Sequence, residues 1–424
     1  MSYDVESIFA AASTSTMLND PHVSRMWELM NDTSLFSMAP EKLEKMRLEC
    51  VRSSLDFFRR RSSLYRRMMD DIGIVPQKAG IQDLARLAVP SDVLRGDGHR
   101  DLLIEDHEPG GRFLSSSGTS KREPVKVYRS PLDLAMMVLG NTAVLGYVTD
   151  NQFKHGQGIG MFMGPEQLSG KLTFVVIVES ALERKGMEIV WGMDMDGEGT
   201  GTVWNKMVPN RNKMARFFKS DQSPKMFFTA PIGLHLLSQR FSSQKSAVRF
   251  LSKIKIGAPP IDLGKGGFVT TGGGMKDFTD LPELNEIIRA SKGFFVSKDA
   301  QGNVRETPFV DGLGMTETAT IMMDRFGVMD KVPHPLSQVF LMDPRTFEVI
   351  EEDGKEGLLG IFNPFVTSWM ECVYPGDIVT AHRSDRYYGR EYVFVRRMGA
   401  SKAVGSTRAC GGELEEHIER NVMV

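Results

Sequence analysis

Through the first 80 residues, apolar positions recur at helical spacing. Between Pro40 and Gly73 one stripe runs through Leu43, Met46, Cys50, Val51, Phe57 and Phe58, and Leu48 and Leu55 widen it. This predicts a single long helix opening at Pro40, whose fixed φ suits a first helical turn, and closing near Gly73. Cys50 lies inside the stripe and reads as a packed thiol. Further on, the pattern shifts to short apolar runs followed by polar or glycine-rich turns. "KLTFVVIVES" (171–180), "PKMFFTA" (224–230), the apolar start of "KGGFVTTGGGMKD" (265–277) and "TPFVDGL" (307–313) read as buried strands. "PIGLHLLSQRF" and "LPELNEIIRAS" follow as helices. That rhythm predicts an α/β fold with working loops at strand ends. After Val332 only short strands are predicted, from "QVFLMD" to "YVFVRR", before a last helix in "ELEEHIERNVMV".

The expected organisation is therefore an N-terminal helical region (1–100), α/β subdomains (101–332), a small β subdomain (333–396) and a terminal segment (397–424). The 424 residues are ample for a sizeable core. With 52 basic and 54 acidic side chains the formal charge is -2, which gives no electrostatic case for nucleic acid. The three cysteines, Cys50, Cys372 and Cys410, are far apart, and the eight histidines form no metal motif. The N-terminus shows no secretory pattern, and no apolar run approaches the ~20 residues of a membrane span. A cytoplasmic protein is expected.

Four stretches carry candidate chemistry. "SSSGTS" (Ser115, Ser116, Ser117, Gly118, Thr119, Ser120) offers hydroxyls and backbone N–H groups that can converge on phosphate oxygens, or it is a plain serine-rich loop. It is not a Walker loop. "TTGGGMK" places Gly272, Gly273 and Gly274 after an apolar strand, where a flat ring can lie on the backbone; an ordinary turn reads equally well. "GLGMTETA" sets Thr316 and Glu317 together at a strand end. They suit a phosphate oxygen and Mg2+, or a helix N-cap followed by an acid. In "YPGDIV", Asp377 follows a tight turn and can accept ribose hydroxyls, with Arg397 further along; alone, Asp377 reads as a turn aspartate.

In this order and spacing, the four stretches resemble those of adenylate-forming enzymes, the superfamily of acyl-CoA synthetases, luciferases and peptide-synthetase adenylation domains. The resemblance covers about residues 110 to 420. It departs at Lys121, Leu313 and the run after Arg397. It implies the large N-terminal domain of that fold with a truncated C-terminal domain, and ATP and Mg2+ as cofactors. It further implies that Met315 joins the nucleotide-binding residues, that Glu317 is the magnesium ligand, and that Gly312 and Gly314 lie at the pocket for a carboxylic acid substrate; His235 either faces that pocket or, the reading its apolar surroundings favour, is a satisfied core histidine. The SGTS loop, the GGGMK segment and the early stop are most similar to the acyl-protein synthetase (LuxE-like) branch. That likeness implies Cys410 as a thioester-forming acyl acceptor and a reductase as the partner, with Cys372 the lesser alternative. Two other readings stand beside it: a ligase that passes the acyl group to CoA, a carrier protein or an amine, and a non-catalytic nucleotide-binding subunit.

Overall fold

The computed structural model describes residues 5–116, 124–149, 157–170, 172–195, 207–241, 260–272, 282–325, 330–384 and 389–397. Five helices open the chain: α1 (Val5–Ser13), α2 (Pro21–Met30), α3 (Pro40–Arg61), α4 (Ser63–Asp71) and α5 (Ile81–Leu87). The predicted 40–73 helix is thus two helices. Ser62 leaves the helical region (φ -138°, ψ 126°), and its hydroxyl accepts from the Tyr65 N–H at 3.4 Å, capping α4. Gly73 ends the pair at a φ of +72°. The apolar stripe packs as expected, with Leu43, Cys50, Val51, Leu55, Phe57 and Phe58 buried. Burial pushes the Cys50 thiol up to about 11.

After β1 (Val89–Pro90), the antiparallel hairpin β2 (Arg112–Ser115) and β3 (Lys126–Arg129) leads into α6 (Pro131–Val148). Then come β4 (Ile159–Pro165), α7 (Thr173–Arg184), β5 (Glu188–Met195), β6 (Met207–Pro209), α8 (Arg211–Lys219), β7 (Lys225–Thr229) and α9 (Pro231–Phe241). Next are β8 (Ile261–Lys265), β9 (Phe268–Gly272), α10 (Leu284–Ser291), β10 (Phe295–Lys298), β11 (Val304–Glu306), β12 (Phe309–Leu313), β13 (Met322–Asp324) and β14 (Lys331–Val332). The described chain ends with β15 (Gln338–Met342), β16 (Val349–Ile350), β17 (Glu356–Phe362), β18 (Cys372–Tyr374), β19 (Asp377–Arg383) and β20 (Arg390–Arg397).

The centre is a parallel array in the order β5-β4-β7-β9-β12. Every residue of β7, β9 and β12 is buried, as strands covered on both faces must be. Beyond β12 the ladder turns antiparallel through β13 and β14, and the Lys331–Tyr392 pair joins it to β20, β19 and β17.

One expectation fails here. The 171–180 segment is not a strand but lies largely in α7. Its valines and isoleucine are buried all round, between α6 and β5, so the apolar run carries no period that separates helix from strand. The helix closes at Gly186, with φ +69° and the Met187 N–H donating to the Leu182 carbonyl at 3.0 Å. Helix α6, 18 residues long, is apolar enough by length and composition alone to cross a membrane. Of that stretch, 78% is buried inside the fold, and its polar Asp133 and Asn141 bind backbone from other elements. It is a core helix of this fold.

Candidate active site

The strands β9 and β12 run in parallel register, with Gly272 opposite Gly312. Neither glycine carries a side chain, and one ring uses the space: Phe174, from the first turn of α7. A Cβ on Gly272 would lie 1.9 Å from Phe174 Cζ, and one on Gly314 2.5 Å from Phe174 Cδ2. The ring stacks on Phe228 of β7 at 5.5 Å between centroids. Phe228 packs on Phe162, and Phe162 stacks on Trp191, both at 4.8 Å. An aromatic row thus crosses the sheet and ends on the glycines.

The hairpin that carries the serine-rich loop roots beside the same ring. Ser116 closes the hairpin: its N–H donates to the Val125 carbonyl at 2.9 Å, and its hydroxyl accepts from the Val125 N–H at 3.0 Å. Ser115 bridges to Leu172, and its carbonyl accepts from the Thr173 hydroxyl at 3.4 Å. Ser117, Gly118, Thr119 and Ser120 lie outside the described residues, as do Gly273, Gly274 and Cys410.

Beyond Leu313, the loop from Gly314 to Ile321 is fastened from several sides. Asn141 of α6 donates to the Ala319 carbonyl at 2.9 Å and accepts from the Ile321 N–H at 2.9 Å. Arg129 of β3 donates to the Glu317 carbonyl at 3.2 Å and forms a fully buried ion pair with Glu371. Glu371 also accepts from the Ala319 N–H at 2.8 Å and from the Asn363 amide. Burial pushes the Glu371 carboxyl above the usual range, and Arg129 offsets part of that cost. On this frame Thr316, Glu317 and Met315 are all buried. One Glu317 oxygen accepts from the Ser91 hydroxyl. The other, like the Thr316 hydroxyl, makes no hydrogen bond among the described residues. Both are oxygen donors of the kind that magnesium and phosphate groups take.

A second polar knot underlies the strand ends. Asp311 of β12 accepts from Thr271 of β9 at 2.7 Å, and Lys331 reaches Asp311 at 2.7 Å and Asp324 at 2.8 Å. Burial alone would lower the Lys331 pKa, but the two carboxylates outweigh it and push the ammonium up. Burial also pushes Asp324 upward, against the pull of Lys331.

Asp377 is buried at the start of β19, opposite Arg397 of β20 in the ladder. His235, on α9, is half-buried, with Nε2 2.9 Å from the Gln239 amide one turn on; burial lowers its pKa. Cys372 is buried in β18, donates to the Leu84 carbonyl at 3.3 Å, and has its pKa pushed up by burial. That environment removes it as a nucleophile.

Sequence reasoning missed Phe174, hidden in the run read as a strand. It also missed Arg129, Glu371, Asn141, Asp311 and Lys331. Glu371 did leave a signal, a lone charge in the otherwise uncharged run between Glu356 and Asp377, but not the identity of its partner.

The fold is similar to that of a ligase of known structure. A 2-hydroxyisobutyryl-CoA ligase, solved with 2-HIB-AMP and CoA in the thioesterification state, matches with a TM-score of 0.56 at 14% identity, over 86% of this chain and 70% of that one. Its open conformation, with the same ligands, gives 0.54 at 13% identity over 85% and 74%. Its postadenylation state with 2-HIB-AMP gives 0.55 at 13% over 85% and 67%. No protein-family model matches the sequence, and no curated protein does either.

Proposed function

We propose that this protein activates a carboxylic acid with ATP as an acyl-adenylate and then passes the acyl group to a thiol. One observation carries the reading. At the C-terminal ends of β9 and β12, on a fold shared with an adenylating ligase, Gly272, Gly314, Thr316 and Glu317 lie in consecutive strand-end segments, and Phe174 links their glycines to the root of the serine loop. In the first step, a carboxylate oxygen bonds to the α-phosphorus, the bond to the bridging oxygen breaks, and pyrophosphate leaves with the electron pair. In the second, a thiolate sulfur bonds to the acyl carbon and AMP leaves. The Ser115–Ser120 loop cradles the outer phosphates, Gly273 and Gly274 receive the adenine, since Phe174 fills the space over Gly272, Asp377 accepts from the ribose, and Arg397 lies beside it. Glu317, with Thr316 on the phosphate side, would hold magnesium, which when bound neutralises phosphate charge. The chain's own share is positioning and preorganised charge, which the fastening of the 314–321 loop supports.

For the acceptor we favour Cys410, as in the LuxE-like branch, with hand-over to a partner reductase. Of the three cysteines, Cys50 and Cys372 are buried with thiols held protonated, which leaves Cys410. CoA is the alternative acceptor, supported by its presence in the ligase of similar fold. Exchange of labelled pyrophosphate into ATP, dependent on magnesium and an acid from a panel of carboxylates, is the test. Glu317→Ala should abolish exchange, and its absence in wild-type protein across the panel would end the proposal. A labelled acyl group should stay on denatured protein, be released by hydroxylamine and vanish in Cys410→Ser. Label retained in that variant, or found on CoA instead, transfers the acceptor role elsewhere while leaving adenylation intact.

A further inference from the structure

Away from the strand-end loops, the seam where β14 meets β20 gathers three metal-binding side chains. His382 and Glu391 are directly opposite each other in the β19–β20 ladder. Asp330 immediately precedes β14, whose Lys331 pairs with Tyr392 of β20. His382 Nε2 lies 3.4 Å from Asp330 Oδ2 and 3.6 Å from Glu391 Oε2, and the three ligand atoms all fall within 4.8 Å of one another. These separations are long for N–H···O hydrogen bonds. They suit neighbouring ligands on one ion, since bonds of about 2.0–2.1 Å in a tetrahedron set ligands about 3.3 Å apart.

Charge and access agree with the geometry. Arg325 pairs with Glu391 Oε1 at 2.5 Å, which fixes that carboxylate and leaves Oε2 facing His382. With a neutral imidazole, the two carboxylates and one guanidinium leave a formal charge of about -1, which a cation would compensate. Glu391 is 3% exposed, while Asp330 is 22% and His382 39% exposed, so the group is anchored on one side and open to solvent on the other. One imidazole with two carboxylates favours a borderline transition metal over magnesium or calcium, which take oxygen alone.

We propose that Asp330, His382 and Glu391 bind a divalent transition-metal ion of the zinc type, with solvent completing the coordination. The ion would tie β14 to the β19–β20 hairpin within the antiparallel part of the sheet. It is separate from the magnesium reading of Glu317 and stands or falls without it.

The test uses the full chain, free of affinity tag and stripped of metal. Zn2+ titration by calorimetry should give one saturable site, Co2+ should give visible absorption of the tetrahedral type, and Zn2+ should raise the melting temperature. His382→Gln and Asp330→Asn should each weaken binding at least about tenfold and lose the melting shift. Without metal, both variants should melt as wild type does, and Asp330→Asn alone carries the test if His382→Gln does not fold. No saturable binding in wild type, or equal affinity in a folded variant, overturns the proposal.

Discussion

Gly272 shows how much can depend on a missing side chain. Its place opposite Gly312 would be ordinary strand pairing if Phe174 did not use the space above it. Gly272→Ala sets a methyl carbon 1.9 Å from the ring's Cζ, and stacking on Phe228 limits how the ring can yield. The substitution should cost about 1–3 kcal/mol of stability, as overpacking does. In a Phe174→Ala background the obstacle is gone, and the same change should cost under about 0.5 kcal/mol. A double-mutant cycle by chemical denaturation measures the difference. Equal costs in both backgrounds would mean that the ring does not define this space. The glycine run was legible in the sequence as a place for something flat. That an aromatic side chain from α7 lies there was not, because its segment carries no readable period.

Elements show the same division. The strands β7, β9 and β12 were legible because each is a short apolar run closed by a turn and followed by a helix or a polar loop. The break between α3 and α4 was not, because it depends on one serine exchanging a helical hydrogen bond for a cap. Least legible was what fastens the loop after β12. Arg129 and Glu371 are 242 residues apart in the chain, and only the fold makes them a pair. Because both are fully buried, removing one strands the other. Glu371→Ala should lower stability by about 3–5 kcal/mol, whereas Arg129→Met with Glu371→Leu should lose less than the sum of the two single changes. Urea titrations of the four proteins in the cycle check this, and additive losses would show that the two side chains act independently.

Across the whole molecule, buried titratable groups oppose one another in their response to acid. His22, His99 and His334 are buried, and burial pushes their pKa values down to about 4, 3 and 3. In the unfolded chain each takes up a proton below about pH 6.5. The unfolded state then binds more protons, so the stability tied to each histidine is full above pH 6.5 and is lost as pH falls toward the folded value. Buried Glu371, Glu179 and Asp324 are shifted upward and act with the opposite sign, since their folded forms hold protons that the unfolded forms have released. The wild-type profile mixes the two, so a single variant is needed to separate them. His334 is the cleanest choice: it is enclosed between Phe36 and Phe365, and its Nδ1 accepts from the Leu336 N–H at 3.2 Å. Glutamine can accept in its place but cannot be protonated. Between pH 6 and pH 4.5, the stability of His334→Gln should fall less steeply than that of wild type, by up to about 1.4 kcal/mol per pH unit, the full weight of one titrating site. Parallel profiles from denaturant unfolding at several pH values would mean that His334 is protonated in the folded protein and that its cage admits water.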